Sequence, residues 1–262
     1  MNFETSTAHD KAVDVAEPPS SRRSTEAPCY VPAEDLFYLS FGAGVNSTAL
    51  YLFLLEQGQE FEAVYVDHGT DYPETAKYVE YFAARFPVTI IKATVTRKGR
   101  LYSSLHEFCE LRDLIPQQYP RWCTGDWKKD QIYRYVKKPC WMAIGIDAGE
   151  SHRARTSNIS KVEFVHPLVD AGIDRQGCKD LIARHGLKVP PKSGCWCCPF
   201  QRPDQWKALR RNHPDLFCRA ERMETASGRT FDRRGRSLKQ IINERQNFLT
   251  ADMDYPPCSC GL

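Results

Sequence analysis

The sequence predicts an α/β protein with a doubly wound, mostly parallel sheet and a C-terminal helical, cysteine-bearing appendage. Two observations support this fold class. Short apolar runs alternate with helical segments from residue 35 to about residue 166, and the strand pattern stops after about residue 167. Strands that alternate with helices are joined by crossovers, so we expect a parallel sheet that is covered on both faces.

The predicted elements follow in chain order. The apolar run at 36–41 predicts the first strand, and 47–57 is typical of a helix with Leu50, Leu54 and Leu55 on one face. The other elements of this half are a strand at 63–67, a helix at 74–86, a strand at 88–93, a helix at 124–136 and a strand at 140–146. The predicted helices of the appendage are 174–185, 203–212 and 238–249. We expect the appendage beside the carboxyl edge of the sheet, where α/β proteins bind ligands.

The bulk composition indicates a globular protein without a membrane partner. Of its 262 residues, 42% are hydrophobic and 26% are charged, enough to form a core. No apolar run reaches the roughly 18 residues that a membrane span needs. The polar first 34 residues lack the apolar centre of a secretory signal and are predicted to be a disordered tail. We therefore expect a cytoplasmic protein with reduced thiols.

Eleven cysteines are more than packing requires in such a protein. The odd count argues against a closed disulfide framework, which favours metal ligation or redox chemistry. Cys195 and Cys198 have the C-x-x-C spacing with which two thiolates hold one metal centre. The same spacing occurs in redox dithiols, but those usually begin a helix in a thioredoxin-like context. Packing or the tail explains the remaining isolated cysteines: Cys29, Cys140, Cys178 and Cys218.

The turn between the first strand and the first helix is a candidate phosphate site. Its small residues allow consecutive N–H groups to point at one anion, and the helix that follows adds its positive dipole end. The alternative is an ordinary tight turn in which Ser47 is the N-cap of the helix. The candidate binding residues are Ser40, Gly42, Gly44, Asn46, Ser47 and Thr48.

A second candidate for anion binding is the basic segment that begins at Arg202 and ends at Lys239. It holds eleven Lys/Arg against five Asp/Glu. Such a segment is either a solvated helix face or a surface for nucleic acid or a phosphorylated small molecule.

The turn resembles the modified phosphate loop of the N-type ATP pyrophosphatase and PAPS reductase superfamily, whose motif is Ser-Gly-Gly-x-Asp-Ser. Residues 42–47 read Gly-Ala-Gly-Val-Asn-Ser in this sequence. Further matches follow in the family's order between about residues 36 and 200. They are Asp67-His68-Gly69 with Pro73-Glu74-Thr75, Cys123-Thr124 with Lys128, Gly145 with Glu150 and Arg153, Pro167-Leu168, and Gly194-Cys195 with Cys198.

The resemblance implies an adenine nucleotide as ligand, either ATP or APS/PAPS. It also allows Mg²⁺ as a further cofactor. It implies that Asp67 contacts adenine or ribose, that Gly145 belongs to the nucleotide site, and that Lys128 and Arg153 neutralise phosphate or sulfate oxygens. It also implies three regions: a tail at 1–34, a nucleotide-binding domain at 35–166, and a helical region at 167–262 that completes the site.

The resemblance also implies a metal centre that includes Cys123. Relatives that carry a [4Fe–4S] cluster have thiolates at the positions of Cys123, Cys195 and Cys198, and zinc with four thiolates fits the same residues. The fourth ligand is open. We predict Cys258 as this ligand, and the alternatives are Cys260, Cys197, Cys109 or a substrate sulfur.

The C-terminal Cys-Ser-Cys-Gly-Leu resembles the Glu-Cys-Gly-Leu-His tail of sulfonucleotide reductases, whose cysteine attacks sulfur. By this resemblance Cys260 is a candidate nucleophile, and the alternative is a tail that caps the metal site.

Three functions follow from these observations. The first is ATP-dependent transfer of sulfur to a nucleic-acid or nucleobase acceptor through an adenylate. The second is reduction of APS or PAPS by Cys260, with release of sulfite. The third, of another class, is a non-catalytic nucleotide or nucleic-acid binding module with structural zinc. The sequence does not name the sulfur acceptor, the sulfur donor or the thiol reductant.

Overall fold

The computed structural model of the chain describes residues 31–32 and 34–243. Its strands are β1 (Phe37–Ser40), β2 (Glu62–Asp67), β3 (Thr89–Lys92), β4 (Val95–Arg97), β5 (Arg100–Tyr102), β6 (Cys140–Ile144) and β7 (Val162–Val165). Five of them form a sheet in the order β3-β2-β1-β6-β7, and every neighbouring pair in it is parallel. The other two, β4 and β5, form an antiparallel hairpin.

Helices follow most of these strands. They are α1 (Val45–Glu56), α2 (Pro73–Ala83), α3 (Leu105–Glu110), α4 (Trp122–Thr124), α5 (Asp130–Tyr135), α6 (Pro167–Asp170), α7 (Arg175–Arg184), α8 (Pro203–Asn212), α9 (Pro214–Ser227) and α10 (Leu238–Asn243). A π-helical turn (Gly125–Lys129) joins α4 to α5, and a 3₁₀ segment (Ala148–Arg153) follows β6. In the described residues no helix has the length and apolarity that a membrane span requires.

The sheet is covered on both faces, as the sequence predicts. Alternate side chains of β1 enter different cores: Phe37 and Leu39 pack with α1, α2 and α7, whereas Tyr38 packs on the opposite side. The core around Tyr38 includes Trp127 of the π-helical turn and Trp206 of α8. The appendage therefore shares a core with the sheet. The predicted fold class is confirmed.

The carboxyl ends of β1, β2 and β6 meet at one edge of the sheet. Ser40 pairs with Ile144 at the last position of both strands. The phosphate-loop segment and the turn after Ile144 consequently start side by side, and the loop after Asp67 lies next to them on β2. This edge is where the chain can build a site from three separate loops.

The cysteine-rich loop is attached to the loop that follows β2. Tyr72 N–H donates to the carbonyl of Gly194 (2.9 Å), and Trp196 N–H donates to the carbonyl of Thr70 (2.9 Å). Asp71 and Cys195 form an isolated antiparallel bridge between these bonds. Two segments more than 120 residues apart are thereby held in register, which brings Cys195 to the sheet edge.

Several elements differ from the sequence prediction. The strand β7, the β4–β5 hairpin, and the helices α3 and α9 were not predicted. The predicted helix at 124–136 is interrupted by the π-helical turn, and only 238–243 of the predicted last helix lies within the described residues. Most of the predicted tail at 1–34 lies outside them, although Val31 is buried against the core around α1. The division into three regions stays a prediction.

Candidate functional site

The phosphate-loop segment is organised around the hydroxyl of Ser47. Ser47 Oγ accepts hydrogen bonds from Gly42 N–H and Gly44 N–H, both at 3.2 Å. Ala43 between them has φ +51°, a left-handed conformation that turns the chain sharply. Gly44 is the N-cap of α1, so the alternative in which Ser47 is the N-cap is wrong; Ser47 is the third residue of the helix. The two N–H groups converge on one oxygen, the arrangement that a phosphate oxygen also uses.

Asn46 links this loop to two other parts of the edge. Its Nδ2 donates to Asp147 Oδ2 (2.9 Å), and its Oδ1 accepts from Arg175 Nη1 (2.8 Å). Asp147 is buried just beyond β6, and Arg175 is the first residue of α7. An amide satisfies both partners because it donates and accepts, whereas a carboxylate here would face Asp147.

Two glycines allow the loops to approach one another. A Cβ on Gly145 would lie 2.9 Å from the backbone N and Cα of Ser47, which no side chain tolerates. A Cβ on Gly44 would lie 2.7 Å from Ser193 Oγ. The phosphate-loop segment therefore touches both the turn after β6 and the cysteine-rich loop.

These loops enclose a cleft of about 190 Å³ at the sheet edge, which we call the edge cleft. Eight residues predicted for the nucleotide or for catalysis line it: Ser40, Gly42, Gly44, Asn46, Ser47, Gly145, Lys128 and Arg153. Thr48 is fully buried and does not line it, and neither does Asp67, whose carboxylate accepts from Gly69 N–H (3.0 Å). Asp71 and Arg175 do line it, and the sequence prediction missed both.

Beside the edge cleft, three donor atoms of different chemistry converge. Cys195 Sγ lies 3.7 Å from His68 Nε2 and 4.0 Å from Asp71 Oδ1, and the last two atoms are 3.4 Å apart. Within residues 31–32 and 34–243, no other three His, Cys, Asp or Glu residues bring their donor atoms within 4.8 Å of one another. Thr70 Oγ1 is 2.7 Å from His68 Nδ1, and the Tyr65 hydroxyl donates to Asp71. Such outer partners orient metal ligands, so the group could hold one divalent ion.

The thiols form a second grouping on the other side of Cys195. Cys123, Cys195, Cys197 and Cys198 line a small buried cavity of about 20 Å³ together with Lys128. All eight described cysteines are free thiols. Three of the four predicted ligands therefore meet here, and the fourth, Cys258, lies outside the described residues together with Cys260. Cys197 is fully buried at the cavity and is the described candidate for a fourth thiolate.

The thiols of this cavity are the type of ligand that a cysteine-ligated metal centre needs. Four thiolates on one zinc lie about 3.8 Å apart, given Zn–S bonds of about 2.3 Å and tetrahedral angles. The described cysteines do not form such a group within 4.8 Å of one another. A cubane binds each thiolate at a different iron and so separates them more widely. The cavity volume itself suits a single atom or water, so a cluster needs the loop to open.

Charges at this centre favour a Cys195 thiolate. Burial raises the pKa of the Cys195 thiol, but the positive charges of Lys128 and His68 lower it by more, so the pKa lies below its ordinary value. Burial lowers the pKa of His68, but Asp71 and Cys195 raise it to about 9. The pKa of Lys128 is likewise raised by Cys195 and Asp71 against the effect of burial. The cations Lys128 and His68 thus face the anions Cys195 and Asp71.

The other thiols of the cavity behave differently. Burial raises the pKa of Cys123 and of Cys197, and it raises the pKa of Cys198 to about 12. The negative charge of Cys195 adds to each of these increases. Without a metal these three are protonated at neutral pH, and ligation by them would release protons.

The sequence and the structure were compared with those of known proteins. No protein-family model matches the chain. The chain is 23% identical over 193 residues to the uncharacterized protein MJ0973 of Methanocaldococcus jannaschii, a match that covers 68% of this chain and 45% of that protein. The chain therefore spans less than half the length of this relative. Its structure is similar to the crystal structure of phosphoadenylyl-sulfate (PAPS) reductase from Candida auris in a phosphate complex. That similarity has a TM-score of 0.47 and 17% sequence identity, and it covers 61% of this chain and 81% of the reductase chain.

Proposed function

We propose that the chain is an adenine-nucleotide-dependent sulfur-transfer enzyme whose acceptor is a nucleic acid or a nucleobase. The observation that carries the proposal is a shared wall. Asp71 lines the edge cleft and is itself a member of the group around Cys195, and Gly194, which also lines the cleft, directly precedes Cys195 in the chain. A nucleotide in the cleft would therefore lie beside the reactive thiols.

The support for nucleotide binding is the loop geometry with its surrounding cations. Gly42 and Gly44 N–H groups converge at the start of α1, and Lys128, Arg153 and Arg175 line the same cleft. Arg153 is oriented by an ion pair with Glu150 (2.7 Å). Backbone donors at a helix start together with several cations match the requirements of a polyphosphate.

In the proposed reaction, the acceptor oxygen attacks the α-phosphorus of ATP, and the bond from that phosphorus to the pyrophosphate oxygen breaks. Pyrophosphate leaves with its electron pair, and Lys128 and Arg153 neutralise the charge that develops on the phosphate oxygens. Sulfur at the oxidation level of sulfide then adds to the acceptor carbon that bears the adenylated oxygen. The bond between that carbon and the oxygen breaks, and AMP leaves with the oxygen. The chain's task is to orient both partners and to exclude water.

The metal centre belongs to the same proposal. The residues that would hold a [4Fe–4S] cluster are Cys123, Cys195 and Cys198. The fourth ligand would be either a further thiolate, from Cys197 or a cysteine of residues 244–262, or a sulfur atom from outside the chain. Only in the second case would the cluster supply an iron at which a sulfur atom can be carried. Lys128 lines the same cavity and would offset the negative charge of the thiolates.

One observation favours a second candidate, the non-catalytic binding module. The donor atoms of His68, Asp71 and Cys195 have the spacing of a single divalent ion. A protein that holds one zinc there and binds a nucleotide without turnover would use the same loops. The third candidate, reduction of APS or PAPS, depends on Cys260, which lies outside the described residues.

The experiment that tests the proposal follows the fate of ATP. Anaerobically purified protein is incubated with ATP, sulfide and a bulk nucleic-acid fraction, and AMP, pyrophosphate and thiolated nucleosides are measured by mass spectrometry. We expect AMP and pyrophosphate in equal amounts, dependent on the acceptor. Release of sulfite from APS or PAPS instead would identify the reductase, and nucleotide binding without either product would identify the binding module.

A further inference from the structure

A large second cavity adjoins the edge cleft. It measures about 490 Å³ and is bounded by the start of α2, the cysteine-rich loop and α8; we call it the α8 cavity. Pro191, Lys192, Ser193 and Gly194 line both spaces. Cys195 and Cys198 also line the α8 cavity, so a ligand in this cavity could reach these thiols, which are next to the wall that it shares with the edge cleft.

We propose that the α8 cavity binds one nucleotide of a single-stranded nucleic-acid acceptor. This inference rests on the proposed function, because it assigns the acceptor to a place next to the thiols that would supply sulfur. The edge cleft is occupied by the adenine nucleotide in that scheme. The acceptor must therefore bind outside the edge cleft but next to it, so that its oxygen can reach the α-phosphorus. The α8 cavity borders the edge cleft at residues 191–194 and has the volume for a base with its sugar.

The walls of the α8 cavity have the chemistry that a base requires. Phe200 and Tyr72 contribute aromatic faces. The Tyr72 hydroxyl donates to Gln201, whose Nε2 in turn donates to the carbonyl of Trp196 (2.7 Å), so the Tyr72 ring is held in place. On Phe200 the guanidinium of Arg121 lies 5.1 Å from the ring centroid. Aromatic faces held in this way stack on any base, whatever its sequence context.

The charges around the α8 cavity favour a phosphate-bearing ligand over a free base. Lys192, Arg202 and His213 line it, and the one carboxylate in the lining, Glu74, is paired with His213 (2.7 Å). Burial, followed by the nearby charge of Arg202, lowers the pKa of Lys192, which indicates that cations already crowd this wall. An anion between Lys192 and Arg202 would relieve that repulsion.

The surface of α8 extends the cationic character beyond the cavity mouth. Gln205, Ala208 and Asn212 face the cavity, whereas Arg210 and Arg211 are exposed on the same helix. A polynucleotide could thus place one base inside and its neighbouring phosphates along α8. This arrangement gives a role to the basic segment between Arg202 and Lys239 that the edge cleft does not explain.

The test is binding of labelled RNA and DNA strands of one mixed sequence, each about eight nucleotides long, to the full chain, measured by fluorescence anisotropy. A non-hydrolysable ATP analogue at saturation keeps the edge cleft filled. Ala208→Phe projects a ring into the α8 cavity, and Ala208→Ser at the same position preserves the space. We expect Ala208→Phe to weaken binding about tenfold or more and Ala208→Ser to leave it within about twofold.

The two strands distinguish RNA from DNA as the acceptor. Equal binding by Ala208→Phe and the wild-type protein would overturn the proposal and place the strand on the surface of α8 alone. Absence of binding by either strand at about 0.1 M salt would overturn it as well. The assay of AMP and pyrophosphate formation separates the two levels, because failure of the proposed function removes nucleotide turnover without changing what Ala208→Phe does to strand binding.

Discussion

At the scale of single residues, glycines and one lysine decide what the edge cleft can hold. Gly145 marks the point where the turn after β6 touches the backbone of α1, and Lys128 lines both the edge cleft and the thiol cavity. Neither role follows from local sequence, because each depends on a partner more than 60 residues away. The sequence nevertheless indicated both residues as candidates, because both stand within motifs that resemble those of the PAPS reductase superfamily.

Gly145→Ala is expected to weaken binding of the ATP analogue about tenfold or more. Its Cβ would lie 2.9 Å from backbone atoms of Ser47, so the start of α1 must move and Ser47 Oγ can no longer align the loop N–H groups. Isothermal titration measures the affinity. Gly125→Ala is the matched control, because nothing lies within 4 Å of its Cβ position. Equal affinities of the two variants would refute this account of the loop.

Lys128→Met is expected to lower the rate of AMP formation about a hundredfold with a smaller effect on nucleotide affinity. The amine faces charge that develops on the phosphate oxygens, and removal of one such group commonly costs this much in rate. Lys129→Met, next in the chain but absent from the lining of the edge cleft, should keep the wild-type rate. A wild-type rate in Lys128→Met would remove Lys128 from the mechanism.

At the scale of elements, patterns of apolar residues predicted the buried strands and the helices that follow them. The strand at 63–67 and the helix at 174–185 match β2 and α7 closely, because hydrophobic burial determines both. The helix α9 was missed because Pro214 stands at its start. Proline is nevertheless compatible with this helix, because it is the first residue, where no N–H is needed.

The strand β7 and the group around Cys195 were missed for different reasons. With four residues, β7 is too short to show a clear alternation of apolar and polar side chains. It is a strand because it pairs with β6. His68 and Asp71 are ordinary loop residues in sequence, and they reach the thiols through the long-range bridge between Asp71 and Cys195 and the hydrogen bonds that flank it. Long-range register of this kind leaves no local signal.

The C-terminal helices are expected to depend on Glu224 of α9. Its Oε1 accepts from Phe231 N–H (3.1 Å) and its Oε2 from Leu238 N–H (2.8 Å), which fastens the start of α10 to α9. Glu224→Ala should lower the free energy of unfolding by about 2–3 kcal/mol, since two buried N–H donors lose their acceptor. Urea denaturation measures the change, and Glu221→Ala, one turn earlier, should stay within about 0.5 kcal/mol.

The contribution of Glu224 is also expected to depend on pH. Burial raises the pKa of its carboxyl above the ordinary value, so the protonated form is more favoured in the folded protein than in the unfolded chain. The resulting stabilisation is fully present below the unfolded-state pKa of about 4.3 and declines as the pH rises through the folded-state pKa. The difference between wild type and Glu224→Ala should therefore be larger near pH 4 than near pH 8. The opposite trend would contradict this assignment of the buried carboxyl.

At the scale of the whole molecule, the sheet edge, the thiol cavity and the α8 cavity form one continuous arrangement around the cysteine-rich loop. The edge cleft and the α8 cavity share the wall at residues 191–194, and Cys195 and Cys198 line the thiol cavity as well as the α8 cavity. The sequence predicted that the loop would approach the sheet edge. It did not predict that five cysteines, Cys109, Cys123, Cys195, Cys197 and Cys198, would lie close enough for their charges to interact.

Replacement of single cysteines should separate ligands from packing residues. Cys123→Ser and Cys198→Ser are expected to lose most of the bound metal, because each removes a thiolate from the cavity. Cys140→Ser and Cys178→Ser are matched controls, since both are buried but neither lines the cavity. Metal analysis of the anaerobically purified variants decides this. Full metal content in Cys123→Ser and Cys198→Ser would show that the ligand assignment is wrong.

Whether the thiols beside the edge cleft hold a sulfur-carrying centre can be decided on the anaerobically purified wild-type protein, by its content of iron, acid-labile sulfide and zinc and by its visible spectrum. We expect a brown protein with roughly four irons and four sulfides per chain, as a cysteine-ligated cubane requires. A colourless protein with about one zinc per chain would contradict it and would favour the ion site at His68, Asp71 and Cys195.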